Sequence, residues 1–153
     1  MLWVLENDTW NLVDHCDEDA TTLTYYPYNN ENNLSELIDL NEANCLEALR
    51  QRYKHDCIYT YSSNVLIAIN PYQDIPIYDI ESDKYTLPAE PPFLDGVPHV
   101  YRFVDHALYD LFKNKESQNI LVSGESGAGK TQTTGYITEY IEQRCGQKTD
   151  ISD

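Results

Sequence analysis

No lysine or arginine occurs before Arg50, and the whole chain of 153 residues has only 10 of them against 26 acidic residues, a net charge of −16. Such a balance repels nucleic acid and anionic lipid, and no nucleic-acid partner is expected. The early acidic cluster of Glu6, Asp8, Asp14, Asp17, Glu18 and Asp19 reads as a solvated face. Long apolar runs are also missing. The longest aliphatic stretch, residues 65–69, is far too short to span a bilayer, so no membrane insertion is expected. Residues 1–5 are apolar but too few for a signal peptide and have no basic leader, so the reading is a soluble cytoplasmic protein. The four cysteines, Cys16, Cys45, Cys57 and Cys145, lack C-x-x-C spacing, and His15 and His55 beside two of them form no repeated ligand pair. That usage argues for reduced thiols and against a zinc site.

What is present is concentrated in one stretch. Gly124, Glu125, Ser126, Gly127, Ala128, Gly129, Lys130 and Thr131 complete the G-x-x-x-x-G-K-[ST] pattern of a phosphate loop. A phosphate chain needs many inward N–H donors and few intruding side chains. Glycines at 124, 127 and 129 allow positive φ, so successive N–H groups can curl into a concave nest. A helix starting near Lys130 aims its N-terminal donors and positive dipole end at the same place. Lys130 adds a full charge for the β- and γ-phosphates, and Thr131 offers a hydroxyl to Mg²⁺. Residues 120–122 read as a short buried strand entering the loop, and Ile137, Tyr140, Ile141 and Arg144 recur at helical spacing after it. Chance alone gives the four specified positions in roughly one chain of this length in a few hundred.

Upstream, residues 2–4 and 10–13 suggest two short strands around an Asn7-Asp8 turn, and residues 25–33 a polar loop. Asn41 caps a helix whose apolar stripe is Cys45, Leu46, Leu49 and Tyr53. Residues 57–61 and 64–69 form a hairpin about Ser62-Ser63. Residues 70–78, with Pro71 and Pro76, are a stiff loop whose amide and rings suit the edge and face of a purine. Residues 79–97 read as an acidic exposed connection. Pro98 then opens a helix to residue 113, its apolar face formed by Val100, Phe103, Val104, Ala107, Leu108, Leu111 and Phe112. Strand 64–69, this helix and strand 120–123 make one βαβ crossover, which brings loop 70–78 and the phosphate loop to one sheet edge. The fold class is α/β, an open sheet of phosphate-loop NTPase type with flanking helices, incomplete because the stretch after Thr131 has no room for a further strand.

Several motifs then match one family. Arg52-Tyr53, Ile58-Tyr59-Thr60-Tyr61, Ile67-Ala68-Ile69-Asn70-Pro71-Tyr72, Pro76-Ile77-Tyr78, Pro98-His99-Val100 and the phosphate loop resemble, in order and spacing, the front of a myosin motor head. The likeness covers residues 34–140. It implies an actin-activated, Mg-dependent ATPase that moves along actin filaments, associated with the cytoskeleton, with ATP and Mg²⁺ as cofactors and light chains or calmodulin bound through a lever segment. Asn70, Pro71 and Tyr78 match the family's adenine-contacting loop, and by the same likeness Ser126 is expected near the γ-phosphate and Thr131 is expected to be the metal ligand. Residues 1–33 look like a shortened N-terminal β element and residues 34–153 like the front of the motor domain.

The departures are Gly135 for a usual lysine, Ser117 for asparagine, and Gln73 for a basic residue, which leaves the base loop less positive. A mid-helix glycine costs about 1 kcal/mol relative to alanine. The switch loops, actin-binding regions, converter and lever are expected beyond Asp153, and in the family a strand from that region lies between the two strands of the crossover. Kinesins and small-molecule kinases share the loop class, but their phosphate chemistry does not call for the segment at 70–78. A GTPase is disfavoured because Asn114-Lys115-Glu116-Ser117 lacks the aspartate of an N-K-x-D guanine reader. The alternative from another class is a truncated, non-catalytic nucleotide-binding or interaction piece, and this polypeptide alone is expected to be inactive.

Overall fold

The computed structural model describes residues 2–6, 9–13, 22–23, 31–79 and 96–146. At the start, β1 (Leu2–Glu6) and β2 (Thr9–Val13) pair antiparallel from Leu2↔Val13 to Glu6↔Thr9, and β3 (Thr22–Leu23) adds to β2. The two expected strands are present. The turn at Asn7-Asp8, residues 25–30 of the polar loop and residues 80–95 of the acidic connection lie outside the described residues.

Helix α1 (Glu42–Lys54) starts where the sequence predicts, with the Asn41 side chain accepting from the Asn44 N–H at 2.9 Å. Its buried face is different. Ala43, Asn44, Glu47, Ala48 and Arg52 are inside, whereas Leu46 is 49 % exposed and Tyr53 faces outward. The reason is Arg52, whose guanidinium donates to Thr60 Oγ1 and the Tyr59 carbonyl at 2.9 Å, and to the Glu31 carbonyl and Asn32 Oδ1 at 3.1 Å. A buried cation supplied with that many acceptors turns the helix toward β4 (Tyr59–Ser62) and away from its apolar stripe.

β4 and β5 (Val65–Ala68) form the expected hairpin, paired from Tyr59↔Ala68 to Ser62↔Val65. The turn is Ser63-Asn64, one residue later than predicted, with Ser63 at φ 51° and its N–H bound to Asn33 Oδ1 at 3.1 Å. Helix α2 (Val100–Asn114) begins two residues after Pro98. His99 is the cap, its Nδ1 accepting from the Tyr101 N–H at 3.1 Å. Its inner face is Val100, Tyr101, Val104, Asp105 and His106, while Leu111 and Phe112 are exposed, against expectation.

Helix α3 (Lys130–Gly146) buries Ile137 and Tyr140, as its spacing predicts. It packs on α2 through a stack of Tyr101 and Tyr140 at 4.3 Å. Asp105 joins them, accepting from Tyr140 Oη at 2.9 Å and Arg144 Nε at 3.2 Å. Ile58, Tyr59, Val100, Tyr101, Val104, Ile137 and Tyr140 make one core between the hairpin and these two helices.

The two strands of the crossover do not pair with each other, in keeping with the expectation that another strand of the family lies between them. Residues 120–122 belong to no ladder among the described residues, and Leu121 is 91 % exposed, so the expected buried strand is absent as such. Ile120 and Val122 lean on the core, while β5 and residues 119–123 line a groove of about 450 Å³. A strand is stabilised by partners on its edges. β5 has β4 on one side and no strand on the other, and residues 119–123 have no strand neighbour, among the described residues. The architecture is a partial α/β arrangement of helices around a small two-stranded sheet, and the N-terminal strands form a separate three-stranded sheet. No helix among the described residues is long and apolar enough to cross a membrane.

Candidate nucleotide-binding site

Loop 124–129 joins residues 119–123 to α3, whose first helical residue is Lys130. Its three glycines all take positive φ, with Gly127 at 81° and Gly129 at 94°. At Gly127 a Cβ would meet nothing within 4 Å, so the backbone angle and not space selects glycine there. The Ala128 N–H donates to the Glu125 carbonyl at 3.2 Å, closing a turn, and the Gly129 carbonyl accepts the first α3 bond from Thr133 at 2.9 Å. Lys130 Nζ donates to the carbonyls of Gly124 and Glu125, both at 2.7 Å. Its ammonium is thus folded onto the loop rim with carbonyl oxygens as acceptors. Ser126 and Thr131 are exposed on the same loop and helix start.

Segment 70–78 reaches this loop through Asn70. Its Nδ2 donates to the Gly127 carbonyl at 2.8 Å, and its Oδ1 accepts from the Tyr72 N–H at 2.9 Å, which helps hold Tyr72 at φ 51°. Gly129 has Asn70 next to it, 3.8 Å from where a Cβ would lie. Two bonds tie the segment to the end of α1: Tyr53 Oη donates to the Pro71 carbonyl at 3.1 Å, and Gln73 Nε2 donates to Asp56 Oδ1 at 3.3 Å. Tyr78 shares a hydroxyl hydrogen bond of 3.0 Å with Tyr59. Burial, then that bond, pushes the Tyr59 hydroxyl well above the usual range, so it stays neutral at physiological pH.

Asn70, Pro71 and Tyr78 line a cleft of about 520 Å³ with Gly129, Gln132 and Tyr136. The structure therefore brings the three loop residues together with Gly129. Gly124, Glu125, Ser126, Gly127, Ala128, Lys130 and Thr131 do not line that cleft. Gln132 and Tyr136 were missed from sequence, although their i, i+4 spacing puts them on one face, beside the Ile137 stripe. Among the described residues no group of three His, Cys, Asp or Glu side chains could hold a metal ion.

The model of the myosin head (motor domain) matches residues 31–153. Unconventional myosin-VI of Homo sapiens is 45 % identical over 128 residues, covering 80 % of this chain and 9 % of that protein. Unconventional myosin-IXa of Mus musculus is 43 % identical over 109 residues, covering 71 % of this chain and 4 % of that protein. The chain thus spans less than a tenth of the length of these curated relatives. The match runs through α1, the hairpin, both loops of the site and α3, and the chain belongs to the myosin head (motor domain) family.

Proposed function

We propose that the intact protein is an actin-based motor in which Mg-dependent ATP hydrolysis drives movement on actin filaments, and that this chain forms the nucleotide-binding front of its head. The fold would be that of a phosphate-loop NTPase, with residues 1–33 a shortened N-terminal β element and residues 34–153 the first part of the motor domain. Light chains or calmodulin would bind elsewhere, and the protein would be cytoplasmic and cytoskeleton-associated.

The observation that carries this reading is the 2.8 Å bond from Asn70 to the Gly127 carbonyl, which joins the candidate base loop to the candidate phosphate loop. The residues fit a triphosphate. Loop 124–129 is concave-competent at its glycines, the space at Gly127 is open, and Lys130 already holds two acceptor oxygens that phosphate oxygens can replace. In this reading Asn70, Pro71 and Tyr78 hold the base. Gly124, Glu125, Ser126, Gly127, Ala128 and Gly129 present backbone donors, and Lys130 neutralises charge that grows on the phosphates in the transition state. Thr131 would offer one hydroxyl to Mg²⁺, which when bound offsets charge on the phosphates.

In the intact protein, Lys130→Ala is expected to weaken ATP binding at least tenfold by calorimetry and to abolish ATP-dependent release from actin. Normal release in that variant would overturn the assignment.

A further inference from the structure

The cleft beside Asn70 contains a ring that the base-loop reading does not use. Tyr136 of α3 lies flat on Tyr78, with centroids 3.6 Å apart and planes 16° from parallel. No base fits between rings at that distance. The pair therefore occupies the face of Tyr78 that a planar base would take.

The two rings are unequally held. Tyr78 is fixed by the Tyr59 hydroxyl at 3.0 Å and by its own carbonyl, which accepts from Tyr101 Oη at 3.4 Å. Tyr59 and Tyr101 are both buried in the core. Tyr136 is half-buried, follows Gly135, and its hydroxyl makes no hydrogen bond among the described residues. Near-complete overlap is also not the arrangement two phenol rings prefer, which is offset or edge-to-face. Of the two rings, Tyr136 is the less tied.

Resting on the nucleotide reading above, we infer that Tyr136 is a specificity residue for the base: it gives up the face of Tyr78 to a purine and then stacks on the purine's outer face, leaving the base between two tyrosines. Binding exchanges one ring-on-ring contact for two base-on-ring contacts. A base–aromatic stack is the stronger kind, so the exchange favours the bound state and favours large planar bases over pyrimidines.

The test compares ATP with inorganic triphosphate, which has no base, and with UTP, in the intact protein and three variants. Tyr136→Ala is expected to weaken ATP binding about three- to tenfold, leave inorganic triphosphate unchanged, and narrow the ATP-to-UTP ratio, while Tyr136→Phe keeps the parental values. Lys130→Ala is expected to weaken ATP and inorganic triphosphate alike. If Lys130→Ala behaves so but Tyr136→Ala leaves the ATP-to-triphosphate ratio unchanged, the role of Tyr136 is refuted and the nucleotide reading stands. If Lys130→Ala changes neither ligand, the reading itself falls and the inference with it.

Discussion

Glu47 is 1 % exposed and still charged, which its neighbours explain. Arg50 donates twice to it, Nε to Oε2 and a terminal nitrogen to Oε1, both at 2.6 Å, and Gln51 adds a third bond. Burial pulls the carboxyl's pKa up. The bonds from Arg50 and Gln51, with the charges of Arg50 and Lys54, outweigh burial and hold it below its ordinary 4.5. A carboxyl that ionises more readily folded than unfolded stabilises the fold above pH 4.5, and that contribution disappears as pH falls through the lowered value. Glu47→Gln should therefore flatten the acid limb of a stability-against-pH curve below about 4.5, measured by urea unfolding at fixed ionic strength. An unchanged limb would show that this carboxylate does not set acid sensitivity. Arg52 is the other buried charge on α1, 3 % exposed. Polar residues are ordinarily outside, and a helical pattern cannot announce that carbonyls from Glu31 and Tyr59 will gather round one guanidinium.

At the scale of elements, local chemistry was readable and partner geometry was not. The Asn41 cap, the hairpin, the glycine loop and the apolar face of α3 each depend on neighbours in sequence, and each is in the structure. Asn41→Ala removes the bond to the Asn44 N–H and is expected to destabilise the fold by about 1 kcal/mol, read from thermal unfolding; a loss under a few tenths would mean water replaces the cap. The errors share one cause. Leu46, Leu111, Phe112 and Leu121 are apolar by pattern yet exposed, and the strand at 120–122 has no ladder, because what an element buries depends on what lies opposite. The same limit hid Tyr136. Its stacking partner Tyr78 is on a loop with no period, so no spacing rule connects them.

Among the described residues, the aromatic core lies between the hairpin, α2 and α3, while residues 119–123, with Ile120 and Val122 against that core, pair with no strand and carry the candidate phosphate loop at their end. On the proposed reading this loop holds its donors steady for a triphosphate, which needs a firm base. Residues 1–153 alone are accordingly expected to turn over ATP slowly and without stimulation by actin filaments, measured as phosphate release. Actin-stimulated turnover by this polypeptide would show that the core suffices to brace the loop.

The amide of Asn70 commits both of its ends, nitrogen to Gly127 and oxygen to Tyr72. One torsion therefore acts as a hinge pin for two distant stretches of chain. A half-turn about it would set nitrogen against a donor and oxygen against an acceptor, breaking both bonds together. The turn at Tyr72 and the loop at Gly127 are thus pinned through the same side chain.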